Sequence, residues 1–278
     1  MKVAVTGSTG FIGRHVVAAL TAAGDEVIAV GRSVEGANAV RLDIHDAPAD
    51  AYARMGSPDA VIHLAWAGLP HYKSLHHFES ELPAQYRFLS GLVRSGVKRL
   101  VVTGTCFEYG MQSGALSEAM PAVPNNPYGF AKDSLRRQLQ YLQAVQPFDL
   151  VWARLFYMYG AGQAANSLLP QLEAALERGD ASFNMSGGEQ LRDYLPVSEI
   201  ARILVLLAQS ERDVGVVNVC SGKPVSVRSL VEGFIAERGA TIALNRGHYP
   251  YPDYEPMAFW GDATRLRSAL SGASGSTL

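Results

Sequence analysis

Apolar and polar positions along the chain switch repeatedly between two periods. Val3-Ala4-Val5 is a short apolar run, the mark of a buried strand, and Ile12, Val16 and Leu20 follow at every fourth residue, the spacing of one helix face. The exchange then recurs. Val27 to Val30 predicts a second strand after the Gly24-Asp25 turn, Val40 to Ile44 a third, Asp59 to Trp66 a fourth and Arg99 to Thr103 a fifth. Residues 79–95 predict a helix closed by Gly96. Further helices are predicted from Tyr128 to about Val145, from Gln163–Ser167 through Leu176, over Glu199 to Leu207 and over Ser226 to Arg238, with another strand at Val216 to Val219. Strands alternating with helices specify the α/β class and a doubly wound parallel sheet.

Three glycines, Gly7, Gly10 and Gly13, lie where the first strand gives way to the first helix. Glycine allows a sharp turn and close approach of backbone to a pyrophosphate, whose charge then faces the helix N-terminus. Their G-x-x-G-x-x-G spacing is one residue longer at the front than the common dinucleotide fingerprint, but its strand–turn–helix context is the expected one. The predicted sheet is therefore Rossmann-type. The second strand ends in Gly31-Arg32-Ser33, and Arg32 stands nineteen residues past Gly13, about where ribose 2′ discrimination occurs. An arginine there suits a 2′-phosphate and favours NADP over NAD, unless it is simply a solvated loop cation. Asp43 is placed either to accept from an adenine amino group or to face water.

Composition narrows the class. With 278 residues and 48% hydrophobic content, the chain can bury a full core. Its net charge of -2 gives no electrostatic reason to expect nucleic acid or an anionic membrane as partner. Two cysteines, Cys106 and Cys220, fit a reducing compartment rather than a disulfide framework. Strand residues begin at Lys2, and no apolar run reaches the roughly 18 residues of a membrane span, so a cytoplasmic protein is expected. His63 reads as a packed core histidine. His71, His76 and His77 lack a metal-ligand pattern and are expected to face solvent, and no metal is expected.

The candidate chemistry starts where the fifth strand stops. Thr103-Gly-Thr-Cys-Phe-Glu-Tyr-Gly110 puts hydroxyls at the carboxyl end of a central strand, the edge where open sheets bind ligands. Tyr128 and Lys132, four residues apart, share one helix face. An ammonium nearby would lower the phenol pKa and suit Tyr128 to proton transfer. Cys106 has no basic neighbour in sequence and reads as a packed thiol.

The chain resembles the extended short-chain dehydrogenases/reductases, in their nucleotide-sugar epimerase, dehydratase and reductase group. The resemblance rests on eight motifs in order: Thr6-Gly-Ser-Thr-Gly-Phe-Ile-Gly13, His63-Leu-Ala65, Thr105-x-x-x-Tyr109-Gly110, Tyr128-x-x-x-Lys132, Arg154-Leu-Phe-Tyr-Met-Tyr-Gly160, Arg192-Asp-Tyr-Leu-Pro-Val197, Asn218-Val-Cys-Ser-Gly222 and Phe259-Trp-Gly-Asp262. It implies a catalytic set of Thr105, Tyr128 and Lys132. It also implies a dinucleotide site at Gly7, Thr9, Gly10, Phe11, Ile12, Gly13, Arg32, Asp43, Ile44, Leu64, Ala65, Tyr128 and Lys132. Substrate would meet Thr105, Tyr157, Asn166 and Arg192, with Arg192 on the diphosphate unless it is bridged to Asp193 or Glu199. Residues 1–160 with about 192–220 would bind NADP(H), and a smaller, discontinuous region at about 161–191 and 221–270 would bind substrate. A homodimer through the helices near Glu79–Ser95 and Tyr128–Val145 is also implied.

Departures from the group's pattern sharpen the expectation. Its 4,6-dehydratases carry an Asp-Glu pair after the catalytic threonine, and Cys106 and Phe107 stand there instead. Glu108 is one place too late to substitute, since one residue changes direction from a strand end. Tyr157 stands where the group often has Asn. The expected activity is NADPH-dependent reduction of the 4-keto group of a nucleotide-linked 4-keto-6-deoxyhexose, as in 6-deoxytalose formation. The alternatives are an NAD-dependent nucleotide-sugar 4-epimerase and a non-catalytic cofactor-sensing protein. The proline- and tyrosine-rich stretch 248–256 is a lid or a rigid connector, and residues 272–278 form a polar tail.

Overall fold

The computed structural model describes residues 1–210 and 212–271, so the polar tail lies outside the described residues. In chain order the elements are β1 (Lys2–Thr6), α1 (Phe11–Ala22), β2 (Glu26–Gly31), β3 (Ala39–Arg41), α2 (Ala51–Arg54), β4 (Ala60–His63), α3 (Leu82–Arg94), β5 (Arg99–Thr105), β6 (Gly114–Leu116) and α4 (Pro127–Val145). They continue as β7 (Asp149–Leu155), β8 (Tyr157–Tyr159), α5 (Leu168–Arg178), β9 (Ser182–Asn184), β10 (Leu191–Pro196), α6 (Val197–Gln209), β11 (Gly215–Val219), β12 (Pro224–Ser226), α7 (Val227–Glu237), β13 (Ala243–Asn245), β14 (Phe259–Gly261) and α8 (Thr264–Leu270).

Seven strands form one parallel sheet in the order β11-β7-β5-β4-β1-β2-β3. Strand order reverses between β1 and β4, which opens a crevice at their carboxyl ends. Helices cover both faces, as an all-parallel sheet requires. One core joins Leu89, Leu92, Leu100, Leu135, Leu139 and Trp152; the other joins Val3, Val5, Leu20, Ile200, Leu204 and Val217. The apolar helix α6 thus returns to the sheet and packs on α1's side of it. Three small sheets, β12-β10-β8, β13-β9 and β14-β6, stand apart from the large one.

Several element boundaries differ from the pattern-based expectation, each for a local reason. The third strand stops at Arg41 because Asp43 caps a one-turn 3₁₀ helix, its carboxylate accepting from His45 N–H at 3.0 Å. The fourth strand stops at His63, after which Leu64 and Ala65 turn their N–H groups onto the Thr6 hydroxyl at 3.2 and 3.4 Å. The helix expected from Glu79 begins at Leu82, preceded by a π-type turn over His77–Glu81. Strand β7 was not anticipated, although Asp149-Leu-Val-Trp-Ala-Arg-Leu155 is buried over nearly its full length.

Candidate active site

The β1–α1 turn is built for close contact. Gly7 has a φ of +67°, and a Cβ there would lie 2.9 Å from Ala65 N. A Cβ on Gly13 would lie 2.1 Å from Gly7 O, so the helix sits on the loop as only glycine permits. α1 begins at Gly10 without a side-chain cap and without an acidic residue in its first turn. Its N-terminal N–H donors therefore face the crevice with a positive end dipole and no internal anion. Thr9 and Gly10 are exposed, Phe11 and Ile12 half-buried, and Leu64 and Ala65 half-buried opposite them. This cradle fits a dinucleotide pyrophosphate. Arg32 and Asp43 are both exposed; the His45 N–H hydrogen bond holds the Asp43 carboxyl below its ordinary value, with a smaller contribution from the Arg32 guanidinium, while Ile44 is buried.

His63, on β4, is sealed into the core. Its Nδ1 accepts from the Thr6 hydroxyl at 2.9 Å, and its Nε2 donates to Gln85 Oε1 at 2.7 Å. Burial lowers its pKa to about 3, so the ring is neutral. Gln85 passes the chain on, donating to Ala65 O at 3.1 Å and to the buried Glu81 at 2.9 Å, and Ala67 N–H donates to Glu81 at 3.2 Å. The loop that continues β4 is thus pinned from below by side chains.

Thr105 ends β5 and opens a 3₁₀ turn over Cys106–Tyr109 as a capping box. Its hydroxyl accepts from Phe107 N–H at 3.3 Å, which leaves the hydroxyl proton free to donate. Glu108 accepts from Thr105 N–H at 2.9 Å, Trp152 Nε1 at 2.9 Å and Arg154 Nε at 2.7 Å. Fully buried, its carboxylate is committed to holding Thr105 and faces no crevice. Cys106 is a packed thiol whose pKa burial pushes up.

α4 starts cleanly. Asn126 Oδ1 accepts from Gly129 N–H at 2.8 Å, and Pro127 takes the first helical position. Tyr128 and Lys132 then face β5, both buried. Lys132 donates to Thr103 O at 2.8 Å, and its Nζ stands 5.9 Å from the Tyr128 ring centre. The expectation that the ammonium lowers the Tyr128 pKa does not hold: burial raises it, with a smaller opposing effect from a hydrogen bond with Thr105. Lys132 is itself lowered to about 7, by burial against the pull of Glu108 and Glu81. The structure thus brings Thr105, Tyr128 and Lys132 to one point at the carboxyl edge of β5.

The expected substrate residues are distributed unevenly. Tyr157 and Arg192 meet, but through a residue the sequence did not point to. Glu255 pairs with Arg192 Nη2 at 3.1 Å and is hydrogen-bonded to the Tyr157 hydroxyl. Arg192 is 2% exposed, stacks 4.5 Å above Phe259 and donates to Leu191 O and Met257 O. Neither of the bridges weighed for it forms: Asp193 accepts from Ser221 and Gly222 N–H, and Glu199 pairs with Arg202. Asn166 is exposed ahead of α5, where its carbonyl accepts from Gln171. Over Tyr128, the rings of Tyr72, Phe107 and Tyr254 form an aromatic cover, with Tyr72 and Tyr128 ring centres 5.6 Å apart. Asp253 pairs with Lys73 at 2.8 Å, so the 248–256 stretch lies on this cover.

His77 was expected to face solvent and is instead buried, 5.2 Å from the Tyr128 ring. The reason is the π-type turn, which aims it inward. Trp66 and Glu255 were also overlooked. Trp66 follows His63-Leu-Ala65 directly and could have been placed at the edge, whereas Glu255 lies 98 residues from Tyr157 with no local signal. Among the described residues, no cluster of three or more His, Cys, Asp or Glu is arranged for a metal, and no helix is long and apolar enough to cross a membrane.

The glycine cradle, reversed strand order and Thr-Tyr-Lys cluster define a nicotinamide-dependent, Rossmann-type enzyme class. The family model described as "NAD dependent epimerase/dehydratase family" matches residues 3–220, and the chain belongs to that family. It is 32% identical over 271 residues to dTDP-6-deoxy-L-talose 4-dehydrogenase (NAD(+)) of Aggregatibacter actinomycetemcomitans, covering 94% of this chain and 99% of that protein. It is 26% identical to UDP-glucose 4-epimerase of Halalkalibacterium halodurans, covering 84% and 79%. Among solved structures, MoeE5 in complex with UDP-glucuronic acid and NAD superposes with a TM-score of 0.83 at 29% identity, covering 100% of this chain and 95% of that one. The UDP-N-acetylglucosamine 4-epimerase from Methanobrevibacter ruminantium M1, in complex with UDP-N-acetylmuramic acid, gives 0.86 at 25%, covering 97% and 91%. The chain is therefore an enzyme of the nucleotide-sugar dehydrogenase and epimerase family.

Proposed function

We propose that this enzyme reduces the 4-keto group of a nucleotide-linked 4-keto-6-deoxyhexose to a 6-deoxytalose-type sugar, with NADPH as reductant. The observation that carries this reading is the Tyr128 phenol, buried beside Thr105 and kept protonated by that burial. A protonated phenol is the form needed to give a proton to the carbonyl oxygen as it becomes an alcohol. Thr105 donates a hydrogen bond to the same oxygen, and Lys132 holds the ribose next to the nicotinamide. Gly7, Thr9, Gly10, Phe11, Ile12 and Gly13 hold the pyrophosphate, Leu64 and Ala65 line the dinucleotide, and Asp43 and Ile44 meet its adenine. The dinucleotide supplies the hydride. Arg32, exposed at the end of β2, is the residue that favours the 2′-phosphate. Tyr157, Asn166 and Arg192 belong to the sugar-nucleotide side, with residues 161–191 and 221–270 as the substrate-binding region.

A 4-epimerase uses the same three residues, and 4-epimerases stand among the relatives. The two are separated by one assay at 340 nm with NADPH or NADH and a panel of 4-keto-6-deoxy nucleotide sugars. Stoichiometric loss of NADPH establishes the reductase. Isomerisation of an ordinary nucleotide sugar without added cofactor replaces it by the epimerase. The protein is further inferred to act as a homodimer through α3 and α4, since Phe130, Tyr141 and Val145 on α4 are 50%, 78% and 80% exposed on one helix side. Light scattering giving a monomer mass of 29.9 kDa would remove that inference.

A further inference from the structure

Beyond β4 the chain crosses the sheet edge as Leu64-Ala65-Trp66-Ala67. The Trp66 indole lies face-on to the Lys132 ammonium, with Nζ 4.0 Å from a ring centre. The same ring meets Tyr128 edge-on, centroids 6.0 Å apart at 73°. Its N–H donates to His77 Nδ1 at 3.1 Å, and the two rings stack at 27°. That bond settles the state of His77. An indole N–H only donates and the His71 carbonyl, 3.1 Å from Nε2, only accepts, so Nδ1 is bare, Nε2 carries the proton and the ring is neutral.

We propose that Trp66 is a positioning residue for the Tyr128–Lys132 pair: its face holds the Lys132 ammonium in place and in the charged form, and His77 holds the indole. This rests on the reading of that pair as the proton-transfer machinery. Lys132 is 2% exposed and has one carbonyl acceptor, Thr103 O, for its three donors. The ring's quadrupole supplies what water would otherwise give. The other groups facing the ammonium are Glu108 from the turn after β5, Glu81 and neutral His77 from the π-type turn, neutral His63 from β4 and the Tyr128 phenol from α4. The two carboxylates favour the ammonium and burial opposes it, leaving Lys132 at about 7, where a further contact decides its charge at neutral pH.

The chain has only five lysines, Lys2, Lys73, Lys98, Lys132 and Lys223, so carbon-13 labelling at lysine Cε gives five NMR signals to titrate. Lys132→Arg assigns the buried one. In Trp66→Leu the Lys132 midpoint should fall by about 0.5–1.5 pH units, and in Trp66→Phe, which keeps an aromatic face, by less. The alkaline limb of the kcat/KM profile should move down with it. A folded Trp66→Leu protein with an unmoved Lys132 midpoint overturns the proposal even where activity has dropped, because a cavity alone would cost activity. If Trp66→Leu does not fold, an unmoved midpoint in Trp66→Met, which also removes the aromatic face while filling more of the space, does the same. The titration needs no substrate. A shifted midpoint in a protein that turns over no nucleotide sugar would retire the catalytic reading and leave the clamp standing.

Discussion

The proposed dinucleotide end of the site and its proposed sugar end are held by different kinds of contact. Around β1, α1 and β4 the geometry comes from backbone: glycines in a turn, an uncapped helix start, and a loop folded onto Thr6. Around Tyr157, Arg192 and Glu255 it comes from side chains of three separated stretches, paired charge to charge in the core. Backbone geometry is set by residues adjacent in sequence, and glycine makes it visible there. Buried ion pairs are set by which segments the fold brings together. They resist the loss of one partner far more than they stabilise as a pair.

Four substitutions probe this contrast, and the first joins its two ends. Tyr128→Phe should cost about 10²–10⁴ in kcat while dinucleotide affinity stays near wild type, as read by fluorescence titration. Dinucleotide binding lost together with turnover would mean that the two ends are not separable. Glu108→Ala leaves Arg154 buried without its carboxylate and frees Thr105 N–H, and should lower stability by about 3–5 kcal/mol in urea unfolding.

The third probe is pH. His63 titrates at about 3 when folded against 6.5 when unfolded, so the unfolded chain binds more protons between those values. Its contribution is fully present above 6.5 and falls away as pH drops toward 3, by up to about 1.4 kcal/mol per pH unit. Urea midpoints of wild type and His63→Gln should therefore diverge in slope over that window, and parallel curves would refute the assignment. The smallest effect is expected at Glu255. Glu255→Gln frees Arg192 from its internal partner and should lower KM for the nucleotide sugar by about three- to tenfold. An increase would make Glu255 a sugar ligand instead.

The strands and helices of the first half of the chain were readable because their apolar periods are regular, and the start of the helix that carries Tyr128 and Lys132 was readable to within one residue. Strand β7 was passed over although Leu150-Val-Trp-Ala153 is an unbroken apolar run; Trp152 and the Arg154 that ends the run both turn out to serve Glu108. His77 looked like one of three polar-segment histidines until the π-type turn aimed it inward. The expected influence of Lys132 on Tyr128 followed from spacing alone, whereas the observed shift follows from desolvation, which spacing does not report.

By itself the sequence determined the α/β class, the glycine turn, the helix that presents Tyr128 and Lys132, and the substitution of Cys106 and Phe107 for acids. All of these depend on residues within a few positions of one another. Only the tertiary structure decided that Arg192 is paired with Glu255, that Trp152 and Arg154 hold Glu108 and that Trp66 lies under Lys132. Those contacts join distant segments, and a buried charge or ring takes whatever partner the folded chain places beside it.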